Sequence, residues 1–224
     1  IFEQYLNCFV LIMNEIVWPT IDSQHLIVDS KQMLKLEKEM FSDGMPQEAL
    51  MEKAGIQISR WLFKKKPLLK HGTTVFIGPG HNGGDGAVIA RELFLKGFNV
   101  QVWCPFPIKK TLTNSHLNYL TSIGVTKLVE PPVANGKELW IDAVFGNNQT
   151  RKVDNKLIKL FNQKFHNNYG KVISIDIPTG LCPDKGAPFL DSAVKADYTL
   201  SIGLHKIGLT QDYCFTFYWR IAPY

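Results

Sequence analysis

The sequence predicts an α/β fold: a Rossmann-like three-layer sandwich with a mainly parallel central sheet, preceded by N-terminal helices. Three observations carry that expectation. From Thr73 onward, short apolar runs (TTVFI, NVQVWC, ELWIDAVFG, KVISIDIPTG, ADYTLSIG) alternate with helical stretches, the pattern of strands joined by crossover helices. The first run enters a glycine-rich segment, GPGHNGGDG, from Gly78 to Gly86. Two later runs carry an aspartate near their ends, Asp142 in WIDAVFG and Asp176 in SIDIPTG. In open parallel sheets, ligands bind outside the carboxyl ends of the strands, so the three segments are expected to converge.

Taken in order, residues 1–25 read as an N-terminal extension and residues 26–224 as one domain. The chain opens on Ile1 rather than Met, as expected of a fragment or of a chain lacking its true start. The apolar patch CFVLIM falls far short of the ~20 residues of a membrane span. No basic segment precedes it and no A-x-A site follows it, so a signal peptide is not expected. SKQMLKLEKEMFSDG then has Asp29 or Ser30 as N-cap, with Met33, Leu36, Met40 and Phe41 near one face of a helix that stops at Gly44. Pro46 suits the N1 position of a second helix, in which Leu50, Ala54, Ile58 and Trp61 recur at helical spacing. A lysine-rich linker with Pro67 leads to the first strand, and a helix is expected after Gly86. Beyond NVQVWC come a polar helix in TNSHLNYLTSIG, a short strand VTKLV and, after ELWIDAVFG, a helix in NKLIKLFNQKFHNN.

The 224 residues carry a net charge of +5, partly from Lys64-Lys65-Lys66 and Lys109-Lys110. These clusters sit beside prolines and read as solvated loop faces with some attraction for phosphorylated small molecules, not as a nucleic-acid surface. Cys8, Cys104, Cys182 and Cys214 form no CxxC, and the histidines are scattered, so a reduced, cytoplasmic compartment and no zinc site are expected.

The GxGxxG at Gly78, Gly80 and Gly83 has the spacing of a dinucleotide loop. A nicotinamide dehydrogenase also needs an acidic residue about 20 positions on, at the end of the second strand, for the ribose hydroxyls. VQVWCPFP offers none. Asp85, by contrast, puts a carboxylate where it would repel a phosphate unless a cation or donors offset it. Alone, Asp85 reads equally as a helix-terminus charge, and Asp142 and Asp176 as turn or cap residues. Together with Thr179 they read as hard oxygen ligands for a monovalent or divalent cation, plus one carboxylate for acid/base chemistry.

The motifs GPGHNGGDG, DAVFGNN (Asp142 to Asn148), DIPTG (Asp176 to Gly180), ADYTLSIGLHKIGL (Ala196 to Leu209) and LMEKAG (Leu50 to Gly55) resemble those of the NAD(P)H-hydrate epimerases, the YjeF N-terminal domain. That resemblance implies epimerisation of the R and S forms of hydrated NADH and NADPH (NADHX and NADPHX), in which water has added to the carbon beside the nicotinamide ring nitrogen. It implies a potassium ion, one per subunit, at Asn82, Asp142 and Thr179. It implies substrate contacts from His81, Asn82, Gly83, Gly84 and Asp85, from Gly146, Asn147, Asn148, Gln149, Thr150, Arg151 and Lys152, and from Asp176. A homodimer is implied too, together with an ADP- or ATP-dependent dehydratase as a separate or fused partner.

Asp176 is the expected catalytic acid/base, because the resemblance assigns Asp142 to the cation. The amide oxygen, carboxylate and hydroxyl or carbonyl of the implied cation set carry one negative charge, which suits a weakly hydrated monovalent ion better than magnesium or zinc. The chain departs from the family pattern at His81, at Thr179, at Asn148 and after Leu209, where TQDYCFTFYWRIAPY carries no family motif and an altered or truncated final strand is expected. Two other readings are a nicotinamide-dependent oxidoreductase, disfavoured by the missing acid, and a non-catalytic binding module. The joint presence of Asp85, Asp142, Asp176 and Thr179 argues against the module.

Overall fold

The computed structural model describes residues 26–150, 153–168 and 170–211, and the backbone of 217–221. The N-terminal extension and two of the expected substrate residues, Arg151 and Lys152, lie outside the described residues. The elements are β1 (Ile27–Val28), α1 (Ser30–Ser42), α2 (Gln47–Lys64), α3 (Lys66–Leu69), β2 (Thr73–Ile77), α4 (His81–Leu95), β3 (Val100–Trp103), α5 (Thr111–Ser122), β4 (Thr126–Leu128), β5 (Leu139–Ala143), α6 (Asn155–His166), β6 (Val172–Ile175), β7 (Tyr198–Ile202), β8 (His205–Lys206), a 3-10 turn (Ile207–Thr210) and β9 (Phe217–Ile221).

Seven strands form one sheet in the order β4-β3-β2-β5-β6-β7-β9, every neighbouring pair parallel. The chain builds outward from β2 through β3 to β4, then returns to place β5 on the other side of β2. The connections leaving β2 and β5 therefore run in opposite directions, and a crevice opens between them at the strand ends.

Strand alternation divides the core between the two faces. Val75, Ile77, Ile141, Ala143, Ile173, Ile175 and Leu200 pack with Ile58 and Leu62 of α2, Ile89 and Leu93 of α4, and Leu117 and Leu120 of α5. Phe76, Trp140 and Val172 face the other way, against Leu157, Ile158 and Phe161 of α6. Phe76 anchors that side, its ring centre 4.3 Å from Phe161 and 4.8 Å from Trp140.

Several local expectations are corrected. α4 begins at His81, with Gly80 as N-cap, so HNGGD is the first turn of the helix and not a loop ahead of it. A Cβ at Gly86 would lie 2.5 Å from Ala143 Cβ, so glycine here lets α4 approach β5 closely. Gly86→Ala is expected to destabilise the domain by about 1–3 kcal/mol through this overlap. A urea melt checks it, and an unchanged midpoint would contradict the packing argument.

Pro46 is the N-cap of α2 rather than its N1 residue. For α1 the N-cap is Asp29, in a capping box with Gln32, and Met33 is its one buried residue while Leu36 stays 37% exposed. The helix docks through its start, where Asp184 accepts from Ser30 N–H at 2.6 Å and Ser30 Oγ–H at 2.7 Å, and not along a full apolar stripe. The lysine-rich linker makes the short helix α3, which buries Leu69. The motif-free tail still supplies a strand, since β9 pairs with β7 from Tyr198↔Phe217 to Ile202↔Ile221.

Candidate active site

Three connections meet at the crevice: the turn into α4 after β2, residues 144–150 after β5, and residues 176–180 after β6. Asp142, the penultimate residue of β5, is fully buried. Its Oδ1 accepts from Thr179 Oγ1–H at 2.6 Å and Val144 N–H at 3.3 Å, and its Oδ2 from Ser174 Oγ–H and Thr179 N–H, both at 2.9 Å. Burial raises its pKa above the usual carboxylate value, opposed by the hydrogen bonds from Thr179, Ser174 and Val144. Thr179 Oγ1 in turn accepts from Phe145 N–H at 3.2 Å, so Asp142 and Thr179 stitch the second connection to the third. Gln149 adds to that seam, donating to the Pro178 carbonyl at 3.1 Å and accepting from Gly180 N–H at 2.8 Å.

Asp176 takes a left-handed backbone form, φ +67°, which Asp tolerates better than most residues. Every group bonded to its carboxyl is a donor. Asn147 N–H reaches Oδ2 at 2.7 Å, while Ile202 N–H at 3.3 Å and the Lys206 ammonium reach Oδ1. Lys206, 1% exposed, also donates to the Ile202 carbonyl at 2.6 Å. The small parallel pairing of β1 with β8 sets Val28 opposite Lys206 and brings α1 to the crevice. There Glu37 has its pKa raised by burial and then by the charge of Asp176, with Lys206 opposing.

The structure brings Asn82, Gly146, Asn147 and Asp176 together. A Cβ at Gly146 would lie 2.8 Å from Asp176 Oδ2 and 3.3 Å from Asn82 Oδ1, so only glycine fits between them. Gly83 and Gly84 are buried in the first turn of α4 and Asp85 is part-buried there. The pKa of His81 is lowered by burial and then by the charge of Lys110. Asn148 and Thr150 are exposed and line a neighbouring cavity of about 180 Å³ with Phe145 and Gln149.

Three buried side-chain atoms in this crevice, His81 Nδ1, Asn82 Oδ1 and Asn147 Oδ1, have no hydrogen-bond partner among the described residues. Each such group costs about 1–3 kcal/mol of desolvation, and a cluster of them marks a surface matched to a ligand. The orphaned amide oxygen of Asn82 is a ligand open to a monovalent cation, whereas the side-chain oxygens of Asp142 and Thr179 are engaged with each other and with Val144, Phe145 and Ser174.

Lys206 and Glu37 escape sequence reasoning. Lys206 did leave a signal, a lysine inside the apolar ADYTLSIGLHKIGL, whereas Glu37 is one charge among several on an amphipathic helix.

A parallel α/β domain with polar and acidic groups converging at its topological switch point has the layout in which small-ligand sites of open α/β sheets are found. The chain belongs to the family described as YjeF-related protein N-terminus, whose model matches residues 47–208. It is 39% identical over 188 residues to the bifunctional NAD(P)H-hydrate repair enzyme Nnr of Gloeobacter violaceus, a match covering 83% of this chain and 37% of that protein. It is 33% identical over 172 residues to the NAD(P)H-hydrate epimerase of Leuconostoc citreum, covering 75% of each. The chain spans about a third of the length of the bifunctional relatives that it matches, 35% in Synechocystis. Among solved structures, yeast ynu0, YNL200c, superposes with a TM-score of 0.72 at 26% identity, covering 82% of this chain and 83% of that one.

Proposed function

We propose that this domain interconverts the R and S epimers of hydrated NADH and NADPH. The observation that carries the reading is the convergence of orphaned polar atoms (His81, Asn82, Asn147) with the carboxyls of Asp85 and Asp176 at one crevice. The epimerase activities named for the relatives support it. The reacting carbon bears both a hydroxyl and the ring nitrogen, so losing the hydroxyl to an iminium or opening the ring erases its stereocentre. The protein then has to orient the ring, exclude competing nucleophiles and move a proton at the hydroxyl that this carbon bears.

Asp176, pinned by Lys206 and two backbone N–H groups, is the proposed acid/base, and the backbone of Gly146 and Asn147 holds the ring against it. Asp176→Asn should lower the interconversion rate on the order of 10²-fold or more while leaving a folded protein. Near-normal rates would remove the assignment.

Asn82, Asp142 and Thr179 are proposed to hold potassium. When bound, it supplies positive charge that offsets the carboxylates and the substrate phosphates. Replacing potassium by a bulky organic cation should lower the melting temperature and weaken binding of NADPH, used as a stable probe. A protein indifferent to the exchange would count against the cation site. Homodimerisation, a dehydratase partner and a cytoplasmic setting belong to the same proposal. Among the described residues, Cys104 and Cys182 are free thiols, and no helix is long and apolar enough to cross a membrane.

A further inference from the structure

The Lys206 ammonium bonds Asp176 and its charge acts on Asp85 and Glu37, and the surroundings of the three carboxyls differ. Asp176 comes from the end of β6 and meets only donors. Asp85 comes from α4, which follows β2, so the two carboxyls approach from strands on either side of β5. No hydrogen bond reaches the Asp85 carboxyl among the described residues.

We propose that Asp85 is a second catalytic residue, the acid that protonates the departing ring hydroxyl, while Asp176 is the base that takes a proton from the incoming water. This rests on the epimerase reading above. The Asp85 proton passes to the hydroxyl oxygen, the C–O bond breaks and its electron pair leaves with the oxygen as water. The lone pair of the ring nitrogen forms the C=N bond of the iminium. Water then adds to the opposite face, its oxygen lone pair making the new C–O bond as the C=N pair returns to nitrogen, and its proton passes to Asp176. One proton has moved from Asp85 to Asp176. The reverse conversion runs with the roles exchanged, or solvent restores the starting state.

A carboxyl that no hydrogen bond reaches, set opposite one that meets only donors, suits such a division of labour. Burial raises the Asp85 pKa well above the usual carboxylate value, the charges of Asp176 and Glu37 raise it further, and Lys206 opposes them. The other charged groups packed against α4 are occupied elsewhere. Glu52 of α2 pairs with Arg91 at 2.6 Å, His116 of α5 lies 3.8 Å from Glu52, and Lys110 acts on His81 at the first turn.

The test uses purified R epimer at several pH values with the unmutated protein, Asp85→Asn and Asp85→Ser. Both variants should fold, as read by circular dichroism, and lose interconversion on the order of 10²-fold or more. The unmutated rate should fall at alkaline pH as Asp85 loses its proton, and the residual rate of the variants should lack that fall. Stability provides a reading independent of activity. A raised folded-state pKa contributes stability that is present below the unfolded value and lost as pH rises through the folded one, so the melting temperature of Asp85→Asn should decline less with rising pH. Undiminished activity in either folded variant, or an unmutated profile with no alkaline fall, overturns the role of Asp85 and leaves the epimerase reading standing. An unmutated protein inert toward both epimers overturns both.

Discussion

Lys206→Met is expected to lower folding stability by about 3–5 kcal/mol at neutral pH, the usual consequence of removing one partner of a buried ion pair. Lys206 is 1% exposed and donates to Asp176, to the Ile202 carbonyl at 2.6 Å and, at the limit of reach, to Ser201 Oγ at 3.5 Å. Methionine has nearly the same reach, so packing changes little and the loss isolates the ammonium. Asp176 is then left buried without the ammonium that bonds it. The double variant Lys206→Met/Asp176→Asn should recover part of the loss, because the stranded charge is gone. A chemical-denaturation double-mutant cycle measures the coupling. A single-variant loss below about 1 kcal/mol, within the range of a surface pair, would mean that Lys206 does not hold the site together.

Asp142→Ala should be comparably severe for a different reason. Asp142 accepts from Val144 N–H, Thr179 N–H, Thr179 Oγ1–H and Ser174 Oγ–H, all inside the core. Alanine removes every acceptor at once and leaves donors that each cost about 1–3 kcal/mol to strand, partly relieved by rearrangement or entering water. The expected net loss is about 3–5 kcal/mol, which for a domain of this size lowers the melting temperature by roughly 6–20 °C. Asp142→Asn keeps one oxygen acceptor and should lose less. If Asp142→Ala melts with the unmutated protein, the seam between the second and third connections is not what secures the crevice.

Legibility in the sequence followed the physics of each element. The strands from Thr73 onward were readable because β-branched and aromatic residues cluster between turn signals, and the parallel sheet followed from their alternation with helices. The start of α4 was not. Four glycines within Gly80–Gly86 resemble a flexible loop, whereas those at Gly84 and Gly86 are there for close helix packing, a tertiary demand that local propensity cannot express. Leu36 was assigned to a buried face by spacing alone. Its exposure reflects how α1 docks, by its first turn against Asp184 and Asn147, which depends on residues more than 100 positions away.

In the site, Asp142 and Asp176 were legible because each closes a strand run. The division among them was not, since it depends on Lys206 and Glu37 arriving from β8 and α1. Gln149 was expected at the substrate, yet both ends of its amide bond Pro178 and Gly180, a role that no local pattern announces.

The central claim, that this crevice erases and resets the stereocentre of a hydrated nicotinamide, is tested most directly by incubating purified R epimer with the protein in potassium buffer and separating the products by chromatography. The account predicts that the S epimer accumulates to the same R:S ratio whichever epimer is supplied, with no net oxidation of the nicotinamide. A folded protein that leaves each epimer as it was added would contradict it.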